Sequence, residues 1–184
     1  AISPGRFDQY LYNFYKMDLH KGLIDKEEAQ TLLNCLWIKF NQILKIWSEI
    51  DSKYFGGFPM SQNLCVGGVT PDGLDATNDI SYMCLQALED TRLPQPALSV
   101  RIHKDSPYNF LKRVCEVIAL GTGMPALYND EVIIPTLLKR GFDIEDARNY
   151  CIVGCVEPSV NGKDWPRSNG GFISFPKILE LTLN

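Results

Sequence analysis

The spacing of apolar positions along the chain changes period repeatedly, and each change marks an element. After a turn at Ser3-Pro4-Gly5, Phe7, Tyr10, Leu11 and Phe14 recur at helical spacing, which predicts a helix over residues 6–15 in a segment closed by Gly22. Arg6, Asp8 and Gln9 read as its solvated start, with the ordering of a loop near a site as the alternative. Asp25 as N-cap and Glu28 three residues on open the longest helix, residues 25–48. Its wide apolar face includes Leu32, Leu33, Leu36, Trp37, Phe40, Ile43, Leu44 and Trp47, and is expected to pack against a sheet. Residues 59–67 read as a buried strand ending at Gly67-Gly68.

Asp75-Ala-Thr-Asn78 caps a helix through residue 90, with Ile80, Met83, Cys84, Ala87 and Leu88 facing inward. Residues 98–102 alternate as a strand, 107–119 form a helix, and 125–128 form a short strand after the Gly121-Thr-Gly123 loop. Two short helices, 130–139 and 144–150, precede an apolar β-branched run that carries Cys155 to a break at Pro158. A loop over 158–171 and a last helix from about residue 172 complete the chain. Short strands alternating with helices make this α/β with parallel strands. The Gly67-Gly68 pair lacks the Gly-Lys-Ser/Thr that a phosphate loop needs.

Composition narrows the class. A chain of 184 residues with 45% hydrophobic and 22% charged residues is ordinary for a soluble domain. A net charge of −4 offers no footprint for nucleic acid or an anionic membrane surface. No apolar run approaches the roughly 20 residues that span a bilayer. The six cysteines are widely scattered and mostly sit within apolar segments, as expected of reduced, buried thiols in the cytoplasm.

The chemistry concentrates at Gly154-Cys155-Val156-Glu157-Pro158. In an extended run, Cys155 and Glu157 share one side and can converge on one pocket, a thiol to make or take a bond at carbon and a carboxylate to move a proton. The same phrase resembles the active-site loop of glycyl radical enzymes, in the dehydratase and lyase branch of the pyruvate formate-lyase-like superfamily. The stretches Ser3-Pro-Gly-Arg-Phe-Asp-Gln-Tyr10, Leu98-Ser-Val-Arg-Ile-His-Lys104 and Gly121-Thr-Gly-Met-Pro-Ala-Leu-Tyr-Asn-Asp130 are similar to that family too.

The resemblance implies part of a ten-stranded α/β barrel, with the Cys155 loop inside it. Residues 1–184 would then be an internal fragment of a single catalytic barrel domain, inactive alone and without the C-terminal glycyl radical loop. It implies Cys155 as thiyl-radical carrier and Glu157 as general base in the elimination of water, an amine or another group from a small hydroxylated substrate. Ser61, Ser168 and Phe172 are implied as pocket residues, with Asn169 beside them. No bound cofactor or metal is implied. The partners are a radical-SAM activating enzyme and, at full length, a second copy of the chain; the setting is an anaerobe's cytoplasm or a bacterial microcompartment. Gly154 stands where a formate-lyase has a second cysteine. Phe172 keeps an aryl-acetate decarboxylase open as an alternative, and a radical-dead scaffold is the non-enzyme alternative.

Two other readings of Cys155 are weaker. A hydrolase-type nucleophile needs a histidine, with His103 the better of two candidates, and no hydrolase signature surrounds the thiol. An iron–sulfur pattern starting at Cys151 and Cys155 breaks at Pro158.

Overall fold

The computed structural model describes residues 3–54, 56, 60–165 and 173–183. Four strands, β1 (Gly5–Arg6), β2 (Asn63–Gly67), β3 (Ala97–Ile102) and β4 (Ala126–Asn129), form an all-parallel sheet in sequence order. Helical crossovers link them: α1 (Phe7–His20), α2 (Lys26–Gln42) and the short α3 (Glu49–Tyr54) between β1 and β2, α4 (Asp79–Thr91) between β2 and β3, and α5 (Tyr108–Ile118) between β3 and β4. The expected parallel α/β arrangement is present.

The capping signals explain the helix starts. The Asp25 carboxylate accepts the Glu28 N–H at 2.8 Å, and Asn78 with Ser81 makes a full capping box at α4. The second helix stops at Gln42, not residue 48, because Ile43 is already extended. Of its expected apolar face only Leu33 and Trp37 are buried, and it lies against α4, not on the sheet. Trp47 falls beyond the helix, with the Lys45 ammonium 3.8 Å from its ring centre.

The sheet has two unlike faces, because residues at i and i+2 share a side and parallel partners stay in register. Leu64, Val66, Leu98 and Val100 face the helices and pack with Trp37, Leu85, Leu88 and Phe110 into the main core. Cys65, paired with Ser99, and Arg101, paired with Tyr128, occupy the opposite face. That polar face is where the rest of the chain folds over.

After α6 (Asp130–Lys139) and α7 (Ile144–Arg148), β5 (Tyr150–Val153) and β6 (Glu157–Val160) form an antiparallel hairpin. Its residues Tyr150, Cys151, Ile152 and Val160 bury against Cys65, Leu137 and Ala147 in a second, smaller core. Tyr150 lies beside Arg101 near the C-terminal ends of the strands, and Gly154 beside Ser3 at their N-terminal ends. The hairpin therefore crosses the sheet against the strand direction. The last helix, α8 (Phe175–Leu183), buries no residue. No described helix is long and apolar enough to cross a membrane.

Candidate active site

The extended run expected to carry Cys155 ends earlier. Gly154, Cys155 and Val156 form the turn of the hairpin, and Pro158 lies within β6, opposite Ile152, where the sequence suggested a break and a loop. The reason is Gly154, whose φ of +63° is open to glycine and rarely adopted by other residues. Cys155 therefore stands in the turn and Glu157 on the first residue of the returning strand, and the two do not alternate along one strand.

The Glu157 carboxylate folds back over the turn. Its Oε2 accepts the Val156 N–H at 3.0 Å, and a Cβ placed on Gly154 would stand 2.7 Å from the same oxygen. Glycine at 154 thus serves twice, for the turn and for the space the carboxylate fills. On the other side, the Tyr128 hydroxyl donates to the Cys155 carbonyl at 3.1 Å, and the Ser3 hydroxyl accepts the Gly154 N–H at 3.0 Å. Cys155 and Val156 are exposed at the tip, while Ile152 behind them is fully buried. The expected shielding of the thiol therefore stops short of Cys155 itself within this chain.

The root of the hairpin is held by a buried charge network. Arg101 makes a two-pronged contact with Asp130, Nε to Oδ1 and Nη2 to Oδ2, both 2.8 Å. The same guanidinium donates to the Tyr150 and Arg148 carbonyls at 2.8 Å and stacks 3.9 Å from the Tyr150 ring centre. The Tyr150 hydroxyl closes the loop onto Asp130 Oδ1 at 2.7 Å. Burial works to lower the Arg101 pKa, but the hydrogen bonds and charge of Asp130 outweigh it and hold the guanidinium above its ordinary value.

Arg6 and Asp8 were expected in solvent and are buried instead. Arg6 donates to the carbonyls of Gly67 at 2.9 Å, Val69 at 3.0 Å and Arg148 at 3.2 Å. Asp8 accepts from the Gly67 N–H at 2.7 Å and the Ser81 hydroxyl at 2.6 Å. Burial, with the nearby positive charge of Arg101, lowers the Arg6 pKa to about 10, and burial raises that of Asp8. Gln9 reaches the Ala76 carbonyl at 2.8 Å. The three side chains hold the segment that follows β2, at Gly67, Val69 and Ala76, at the end of the sheet away from the Cys155 tip. Gly68 fits the same network, since a Cβ there would stand 2.5 Å from Arg101 Nε and the glycine admits the guanidinium; a Cβ on Gly67 would stand 2.8 Å from the Arg101 carbonyl oxygen.

Ser61 takes a left-handed φ of 52° just before β2, at the end of the sheet that holds the hairpin tip. Ser3 links the first residue of β2 to the hairpin turn, since its hydroxyl accepts both the Asn63 N–H at 3.4 Å and the Gly154 N–H. Ser168, Asn169 and Phe172 lie outside the described residues. His103 Nε2 lies 3.1 Å from Asp75 Oδ1 in a cavity of about 380 Å³ near the Arg101 end of the sheet, the end away from the Cys155 tip. Cys151 is buried and donates to Asn161 Oδ1 at 2.7 Å. Burial pushes its thiol up to about 11 and that of Cys65 to about 12. Cys35 and Cys115 are exposed, against the expectation of mostly buried thiols.

A family model described as pyruvate formate lyase-like matches residues 1–184. The chain is 43% identical over 185 residues to trans-4-hydroxy-L-proline dehydratase of Clostridioides difficile, covering 100% of this chain and 23% of that protein. It is 38% identical over 183 residues to isethionate sulfite-lyase of Oleidesulfovibrio alaskensis, covering 99% and 22%. Among solved structures, the glycerol-bound B12-independent glycerol dehydratase of Clostridium butyricum superposes with a TM-score of 0.82 at 54% identity, over 86% of this chain and 20% of that one. The chain thus spans under a quarter of the length of the curated relatives it matches.

Proposed function

Because the chain belongs to the pyruvate formate lyase-like family, we propose that it forms part of a glycyl radical dehydratase or lyase acting on a small hydroxylated substrate, with Cys155 and Glu157 as its reacting groups. The observation that carries this reading is the hairpin tip. A thiol and a carboxylate stand within three residues, on a turn laid across the polar face of a parallel sheet. The relatives named above are dehydratases and lyases.

A glycyl radical stored outside this chain supplies the one-electron oxidant. Cys155 gives up its S–H hydrogen atom, and its sulfur then takes a hydrogen atom from the substrate carbon that bears the hydroxyl. Glu157 takes the hydroxyl proton. The resulting ketyl-type radical anion expels the group on the neighbouring carbon, and that group takes the proton from Glu157 where it leaves as hydroxide. Cys155 returns a hydrogen atom to the product radical, and its thiyl radical recovers one from the glycine. The sheet would be part of a ten-stranded barrel that encloses this chemistry, so that the rest of the full-length protein covers the tip exposed here. The full-length enzyme would need a radical-SAM activating enzyme and would work as a homodimer in the cytoplasm.

The test is turnover by the full-length protein, activated anaerobically, on a panel of glycerol, 1,2-propanediol, trans-4-hydroxyproline, isethionate, choline and 4-hydroxyphenylacetate. Elimination from one hydroxylated substrate, lost in Glu157→Gln, is the expected result. Decarboxylation of the aryl acetate alone would transfer the chain to the decarboxylases, and full activity of Glu157→Gln would remove the base assignment.

A further inference from the structure

The hairpin ladder ends at the pair Val153 and Glu157, so the carbonyl of Cys155 is beyond its reach. That carbonyl is engaged by the Tyr128 hydroxyl at 3.1 Å, from β4. The adjoining Gly154 N–H is engaged by Ser3, two residues before β1. Since β1 and β4 are the two edges of the sheet, the turn is strapped from both sides across its full width. Tyr128 is half-buried, shares its register row with Arg101, and turns its ring to the hairpin side.

We propose that Tyr128 is a positioning residue for Cys155, fixing the backbone of the thiol-bearing residue against the sheet and so setting where its sulfur meets a substrate carbon. The proposal rests on the functional reading above. Hydrogen-atom transfer requires near-contact geometry, and a misplacement of about 1 Å can lower a rate about 100-fold. A hydroxyl from a neighbouring strand fixes the turn through the backbone carbonyl of Cys155.

The test compares Tyr128→Phe with the parent in the full-length protein by two routes. Amide hydrogen exchange of the peptide spanning 153–158 reads the restraint whether or not the enzyme turns over, and should quicken by about fivefold. In the activated enzyme, kcat should fall between about tenfold and 100-fold, with KM, the glycyl radical signal and the thermal midpoint close to the parent's. Unchanged exchange would overturn the proposal. So would quickened exchange with parental kcat, or a loss of radical signal and thermal midpoint that tracks the loss of kcat and marks a merely structural role. If the parent itself yields neither radical nor turnover, the functional reading fails, and the exchange result still judges the strap.

Discussion

Removing the Asp130 carboxylate should loosen the hairpin root far more than removing the Tyr150 hydroxyl that bonds to it. Asp130→Ala leaves the Arg101 guanidinium, which is 0% exposed, without its counter-charge, and deprives the Val69 N–H and the Tyr150 hydroxyl of their acceptor. Breaking a buried pair by deleting one partner costs about 3–5 kcal/mol. Tyr150→Phe removes one hydrogen bond to a charged group, about 1.5–3 kcal/mol, and leaves the two-pronged Arg101 contact intact. With about 1.4 kcal/mol per tenfold change, local opening of β5 should become roughly 100-fold to 4,000-fold more frequent in Asp130→Ala. In Tyr150→Phe the factor should be roughly tenfold to 100-fold. The measurement is amide hydrogen exchange of β5 in the full-length protein, under conditions where exchange reports the opening equilibrium. Equal effects of the two variants, or a change below about twofold in Asp130→Ala, would refute the claim that this ion pair anchors the hairpin.

Gly154→Ala should keep the fold and damage the chemistry. The new Cβ needs the space of Glu157 Oε2 at 2.7 Å and a φ of +63°, so the carboxylate must move; kcat of the activated full-length enzyme should fall at least about tenfold, with the circular dichroism spectrum retained. The buried thiols give a pH signature with a definite sign. Cys65 and Cys151 keep their protons to about 12 and about 11, while in the unfolded chain they lose them near 9.0. Between those limits the unfolded state sheds protons that the folded state holds, so the contribution of these two thiols to stability falls as pH rises above about 9 and is level below it. Urea midpoints from pH 7 to 11 should show that decline, and it should be shallower in Cys65→Ala.

Most of the architecture was legible because it rests on local signals. Asp25 with Glu28, and the stretch Asp75-Ala-Thr-Asn78, marked helix starts that the structure keeps, and the alternation through Leu98, Val100 and Ile102 gave β3. The Cys155 phrase was legible as a family motif, but its geometry was not. An apolar run that stops at a glycine can end in a loop or reverse into a hairpin, and the choice depends on whether Gly154 adopts positive φ and whether Pro158 and Ser159 find partners in β5. Arg6, Asp8, Arg101 and Asp130 were harder. A charged side chain near an element boundary normally reads as solvated, and burying it needs partners far away in sequence, such as Arg101 with Asp130 and with the Tyr150 carbonyl. The Gly67-Gly68 pair was the available clue, since two positive-φ glycines beside a strand end leave room for a large neighbour.

The central claim is that Cys155 carries the radical from storage to substrate, and one comparison tests it most directly. The full-length protein and its Cys155→Ser variant would be activated anaerobically, with the glycyl radical quantified by electron paramagnetic resonance beside turnover of the preferred substrate. The account predicts an equal glycyl radical doublet in both proteins, turnover in the parent and none in the variant. A Cys155→Ser protein that still converts substrate would contradict it.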